Sequence, residues 1–246
     1  LYELAERSGF NMEDAGYVGS ASARAGDAAH LAELHVPRAQ EGVVIDAIQP
    51  GAVLVLVGDA GNGKTSSLWK IDLQLLGRQD LVVWFLRSGQ FSGSSEGVDG
   101  AQALVGLVKR GIACALAQGQ VPVLVLDTID ILLHDDTDRL RALSLIGAVR
   151  RGGGVLVTAS RPSEAHLLPA DVTKVPLRGY SDDELVVALR NHENVYALAG
   201  ASSAHALKEV IAAVRWSSPL LPILRFFFND TATTEIYTPE TLPAEI

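Results

Sequence analysis

Short apolar runs alternate along this chain with longer stretches of helical spacing, and glycine, proline or aspartate closes most of them. The runs at 53–57, 81–86, 121–126 and 155–160 are rich in Val and Leu, and only Pro122 and the polar end of the last interrupt them. Uninterrupted apolar runs of this length predict strands buried on both faces, as in a parallel sheet, rather than strands with one wet face. Pro122 falls near the start of its run, where a missing N–H does least harm. A shorter fifth strand is expected over 172–177. Between the runs, apolar residues recur at helical spacing over 65–76, 101–118 and 140–151, with Gly77, Gly119 and Gly152 at the ends. Val43, Val44, Ala47 and Ile48 form a further helical stripe before the turn Gln49-Pro50-Gly51. Ser181 followed by Glu184 reads as a capping box opening a helix with Leu185, Val186 and Leu189 on its apolar face. The pattern predicts an α/β three-layer sandwich with a mostly parallel five-stranded sheet, followed by the start of a helical subdomain.

The turn after the first strand changes the picture from architecture to chemistry. Gly58-Asp59-Ala60-Gly61-Asn62-Gly63-Lys64-Thr65 fits G-x-x-x-x-G-K-[ST], lying behind an apolar strand and ahead of a helix, which is the context this motif requires. Glycines let backbone N–H groups converge on phosphate oxygens, and the helix N-terminus adds its partial positive charge. The loop from Gly58 to Gly63, with Lys64, Thr65 and Ser66, is therefore a candidate nucleotide-binding segment. Lys64 would reach the β- and γ-phosphates, and the Thr65 hydroxyl would ligate Mg²⁺.

Asp127 closes the third strand, at the edge where ligands gather in open parallel sheets. With a phosphate loop upstream, it is the expected second Mg²⁺ ligand. Asp130 either reaches the same metal or a water on it, or caps the next helix. Ser160 and Arg161 end the fourth strand, and Arg161 is a candidate sensor of the γ-phosphate. The glycine- and serine-rich loop at 88–100 either faces the nucleotide or is a solvated connection. His134-Asp135-Asp136-Thr137-Asp138 is expected to be a solvated loop leading into the first turn of a helix rather than a metal site. Arg139, Arg141, Arg150 and Arg151 read as solubilising residues, though one could meet a neighbouring subunit's phosphate.

Composition narrows the class. Of 246 residues, 48% are apolar, so a sizeable core is expected. The net charge of −9 argues against a general electrostatic grip on nucleic acid. No apolar run approaches a membrane span, there is no signal-peptide pattern, and a cytoplasmic setting is expected. The single Cys114 reads as a small buried residue on a helix. Residues 1–29 read as a linker or the remnant of an upstream region. From about residue 226 the sequence resembles the in-frame translation of a sequencing adapter, Asn229 to Thr238, behind Phe226-Phe227-Phe228. That tail is expected to be non-native. It adds Asp230, Glu235, Glu240 and Glu245 and no basic residue, so the remainder is less acidic than the total implies. The expected division is a P-loop NTPase domain over 30–178, a truncated helical subdomain over 179–225, and the tail.

In this order the motifs resemble those of the signal-transduction ATPases with numerous domains (STAND class), near NACHT-type and AAA+-like NTPases. The resemblance covers about residues 30–190. It rests on His35-Val36-Pro37-Arg38, the Gly58–Thr65 loop (Walker A), Leu126-Asp127-Thr128-Ile129-Asp130 (similar to a doubled-acid Walker B) and Thr158-Ala159-Ser160-Arg161-Pro162. It implies ATP, with GTP not excluded, together with Mg²⁺. It also implies Arg38 among the nucleotide-binding residues, Lys64, Asp127, Asp130 and Arg161 in the catalytic set, self-association through the NTPase domain, and effector domains outside these residues. The implied function is a slowly hydrolysing signalling switch. Two alternatives stand beside it: an AAA+-type ATPase assisting a DNA transaction, and a nucleotide-sensing scaffold that does not hydrolyse. The chain departs from the pattern in having Thr128 where AAA+ ATPases carry Glu, and Asp130-Ile131 where many relatives carry Asp-Glu.

Overall fold

A computed structural model describes residues 35–88 and 98–196. The expected linker at 1–29, the middle of the glycine-rich loop, a helix expected over 204–214 and the tail from 226 lie outside the described residues. The chain divides into two compact units, Leu1–Asp59 with Gly63–Arg178 and Ala60–Asn62 with Gly179–Ile246.

The first unit is built on five strands: β1 (Val53–Val57), β2 (Leu81–Arg87), β3 (Val121–Asp127), β4 (Val155–Ser160) and β5 (Thr173–Pro176). They lie in the order β2-β3-β4-β1-β5, and every pairing is parallel. β1 is held from Val53↔Leu156 to Val57↔Ser160 against β4 and from Leu54↔Thr173 to Val57↔Pro176 against β5. The ends of β1, β3 and β4 therefore emerge side by side at one edge of the sheet.

Both faces are covered, and alternate residues of each strand supply the two cores. On one face, Val55, Leu86, Leu124, Leu126 and Leu156 pack with Leu107, Val108 and Ile112 of α3 (Val98–Ala117) and with Leu145, Ile146 and Val149 of α5 (Asp136–Arg151). On the other, Leu54, Leu56, Val83, Phe85, Val125 and Val157 pack with Val44 of α1 (Ala39–Asp46) and with Leu68, Trp69, Ile71 and Leu75 of α2 (Lys64–Leu76). Phe85 is fully buried and its ring stacks on Trp69 with centroids 4.6 Å apart. The remaining helices are the short α4 (Asp130–Leu133) and, in the second unit, α6 (Asp182–Tyr196). No helix among the described residues is long and apolar enough to cross a membrane.

Local signals fall where the sequence places them, with some shifts. α5 starts four residues ahead of the expected boundary, at Asp136, because Asp135 caps it by accepting from the N–H groups of Thr137 and Asp138. The acidic cluster is thus a helix start. Arg139 pairs with Asp136 and Arg141 with Asp138 within the helix, while Arg150 reaches Asp171 ahead of β5. The box at Ser181 closes reciprocally, Ser181 N–H to Glu184 Oε2 at 2.8 Å and Glu184 N–H to Ser181 Oγ at 3.2 Å. Cys114 departs from expectation. It is exposed, because α3 turns Ile112 and Ala115 inward and leaves the position between them outside.

Phe85→Ala removes the ring shared by β2 and α2, and it is expected to destabilise the fold by about 3–5 kcal/mol, read as a lower denaturant midpoint with an unchanged slope.

Candidate functional site

The loop after β1 begins with Gly58, whose N–H donates to the Ser160 carbonyl at 3.1 Å and so holds the loop's start against the end of β4. Gly61 and Gly63 take left-handed backbone, φ +80° and +79°, which a side chain would resist. Gly63 is also the N-cap of α2, so the helix begins at Lys64 with its first N–H groups facing the loop. The motif's glycines thus serve the turn itself.

Lys64 is buried, and its ammonium donates to the carbonyls of Gly58 at 2.8 Å and Asp59 at 2.9 Å. Burial holds its pKa below the usual lysine value. Asp130 opposes that shift, Arg161 adds to it, and Asp59 and Asp127 oppose it more weakly. These charged groups therefore share one field with the loop lysine. Next to it, the Thr65 hydroxyl donates to Asp127 Oδ1 at 3.0 Å, across from α2 to the end of β3.

Asp127 is held from several directions. The Thr128 hydroxyl donates to the same Oδ1 at 2.9 Å. The Asp127 carbonyl accepts from Ser88 Oγ at 2.6 Å, and the preceding Leu126 carbonyl accepts from Thr158 Oγ1 at 2.7 Å. The strands on either side of β3 thus each clamp its last peptides with a buried hydroxyl. Immediately afterwards the chain turns through Thr128 at φ +61°. Left-handed backbone at a β-branched residue costs about 1–2 kcal/mol. The turn lets Ile129 N–H reach the Ala159 carbonyl at 2.9 Å and starts α4 at Asp130.

Ile129, not Asp130, is the N-cap of α4, so Asp130 does not cap the helix that follows it. The Asp130 carboxylate is 2% exposed, pairs with Arg161 Nε at 3.3 Å through Oδ2, and leaves Oδ1 buried without a hydrogen-bond partner. Arg161 itself is about half exposed at the end of β4. Ser160 is fully buried with its hydroxyl on the Arg161 carbonyl, so only Arg161 of that pair reaches out. Lys64, Thr65, Asp127, Asp130 and Arg161 are thus brought together.

Ser66 and Arg38 are placed differently. Ser66 Oγ lies 2.9 Å from His35 Nδ1, while His35 Nε2 lies 2.9 Å from Glu41 Oε1. Arg38 is buried, its Nη2 donating to the Arg178 carbonyl at 2.6 Å beyond β5. The lead-in segment therefore fastens α1 to the loop helix and to the last strand. Sequence reasoning overlooked Ser88, Thr158 and Glu41. The first two carry a legible signal, a hydroxyl at or beside the end of an apolar run that flanks the aspartate strand.

Parallel strands in this order, with the glycine loop between β1 and the helix that follows, form an α/β three-layer P-loop NTPase fold. Solved structures with the same architecture include domain III of the Thermotoga maritima replication initiation protein DnaA (TM-score 0.53, 17% identity, covering 80% of this chain and 86% of that one). A DNA replication initiation factor is similar at TM-score 0.50 and 16% identity over 76% of this chain, which spans 57% of that protein's length. Hsp104 with ATPγS and casein matches at TM-score 0.51 and 18% identity, over 70% of this chain and 32% of that one. At such identities the likeness establishes the fold alone. No family model matches the sequence, and no curated relative matches it significantly.

Among the described residues no cluster of three or more His, Cys, Asp or Glu side chains could hold a metal. The Thr65 hydroxyl and the Asp127 carboxylate nevertheless suit Mg²⁺, which takes few protein ligands and completes its shell with phosphate and water.

Two outcomes follow from this geometry. Because Thr128 is left-handed, Thr128→Gly is expected to be more stable than Thr128→Ala by about 1 kcal/mol, the reverse of the order at an ordinary position; equal chemical-denaturation midpoints would refute the strained turn. Because the folded state lowers the pKa of Lys64, the unfolded chain binds more protons between that lowered value and the ordinary lysine value of 10.5. Wild-type stability relative to Lys64→Met is therefore expected to rise with pH through that window and to be flat below it, as followed by denaturation at stepped pH.

Proposed function

We propose that this chain is a Mg²⁺-dependent, ATP-binding regulatory NTPase that works as a slow signalling switch of the STAND type. The observation that carries the proposal is the contact of Thr65, beside the buried loop lysine, with Asp127 at the end of β3. A hydroxyl and a carboxylate so paired, at the mouth of a glycine loop, are the protein ligands a nucleotide-bound Mg²⁺ uses. The loop from Gly58 through Asp59, Ala60, Gly61 and Asn62 to Gly63 would cradle the phosphates, and Lys64 would exchange its loop carbonyls for phosphate oxygens. When bound, the metal neutralises charge on the phosphates. Ser66 and Arg38 would belong to the nucleotide-binding set, and Arg161 would read the γ-phosphate. GTP is an alternative ligand of the same site.

The switch reading is supported by what stands where a water-polarising carboxylate is needed. Thr128 offers a hydroxyl already committed to Asp127, and Asp130 is committed to Arg161. Such a site favours long-lived binding over rapid turnover. The negative charge of the chain favours this reading over a DNA transaction. The proposal includes a cytoplasmic setting, self-association through the NTPase domain and effector domains outside these residues.

Calorimetry with ATP in Mg²⁺ and in EDTA tests the reading. Lys64→Ala is expected to weaken binding about a hundredfold through loss of charge-assisted hydrogen bonds, whereas Asp127→Asn abolishes the Mg²⁺ dependence and spares metal-free binding. Undiminished ATP affinity in Lys64→Ala would sink the proposal.

A further inference from the structure

The pair Asp130–Arg161 joins two groups of unequal freedom. Asp130 is buried at the start of α4, just beyond the strained Thr128, and one of its oxygens has no hydrogen-bond partner. A buried carboxylate in that condition cannot follow a departing partner into solvent. Arg161 is half exposed on a long side chain, and it meets Asp130 through Nε alone, at 3.3 Å. Its contact is single, and its terminal nitrogens are uncommitted by that ion pair. Of the two, Arg161 is the one that can leave. Two nearby acids are already engaged elsewhere: Asp127 is bonded to Thr65 and Thr128, and Glu164, whose N–H donates to the Arg161 carbonyl, accepts from Ser163.

We propose that Asp130 is a specificity-determining residue, the resting counter-ion that holds Arg161 and so sets how strongly the site prefers a nucleoside triphosphate to a diphosphate. This rests on the nucleotide-binding reading above. A γ-phosphate must draw the guanidinium away from Asp130, so part of the triphosphate's interaction is spent on breaking the pair. A diphosphate binds to the loop and Lys64 and leaves the pair intact. The affinity of a ligand is lowered by the fraction of the protein not in its competent state, and here that reduction falls on the triphosphate alone. Arg161 and Asp130 both act on the Lys64 ammonium, which puts the pair within the field of any phosphate that Lys64 holds.

The test is a double-mutant cycle on the full chain, with calorimetric dissociation constants for non-hydrolysable Mg²⁺-ATP analogue and Mg²⁺-ADP. Asp130→Asn is expected to tighten triphosphate binding about fivefold, the worth of a partly exposed ion pair, with diphosphate binding changed less than twofold. Arg161→Ala is expected to weaken the triphosphate only. In the Arg161→Ala background, Asp130→Asn should then change nothing. Asp130→Ala, which also removes the charge without adding volume, should repeat the Asp130→Asn result. Equal tightening of both nucleotides, or a gain that persists without Arg161, overturns the proposal and makes Asp130 a diffuse repulsive charge. Failure of both Asp130 variants to fold also overturns it, since Asp130 is then a structural residue. Wild-type protein that binds neither nucleotide refutes the nucleotide-binding reading instead.

Discussion

A strand covered by helices on both faces has no place for a polar side chain except at its ends. That constraint organises this molecule. β1 and β3 are apolar up to their last residue, and the buried hydroxyls of Thr158 and Ser160 in β4 each find a carbonyl, because both faces are dry and a buried group without a partner is costly. Glycine loop, aspartate and arginine therefore gather where the strands stop. Parallel pairing brings those stops to one edge, and the order β3-β4-β1 puts them side by side.

At that edge three side-chain donors already have partners within the chain. Lys64 binds loop carbonyls, Thr65 binds Asp127, and Arg161 binds Asp130 through Nε. A ligand that engages these side chains must therefore exchange partners with them. Buried lysine tolerates this because three carboxylates oppose the effects of burial and of the nearby arginine. The net result still favours the neutral amine relative to water, which makes the ammonium responsive to an incoming anion.

The turn at Thr128 shows how the scaffold sustains local strain. Hydroxyls of Ser88 and Thr158 fix the main chain before it, and the Ile129 to Ala159 bond fixes the chain after it. With both sides held, the residue between them has little choice of backbone. This is strain supported by neighbours, as positions beside functional groups commonly are.

Much of this was legible in the residues. Four apolar runs specified buried parallel strands, and the glycine motif with its flanking strand and helix specified a phosphate-type loop, because these signals are local and depend only on spacing. Ser181 with Glu184 as a capping box was similarly local, whereas Asp135 as a cap was not read and the helix was expected four residues late. The partner choices were not. Asp130 reads equally well as a cap or a metal neighbour until β4 is placed beside β3 and brings Arg161 to it. Cys114 could be assigned to a face only once α3 was docked. His35, Glu41 and Ser66 lie far apart in sequence from one end of the group to the other, and only packing of α1 on α2 joins them. Sequence by itself determined which elements form and which strand ends carry chemistry, since hydrophobic period and turn chemistry act over a few residues. Tertiary structure alone decided which charges meet, because strand order and helix docking set those distances and no local pattern encodes them.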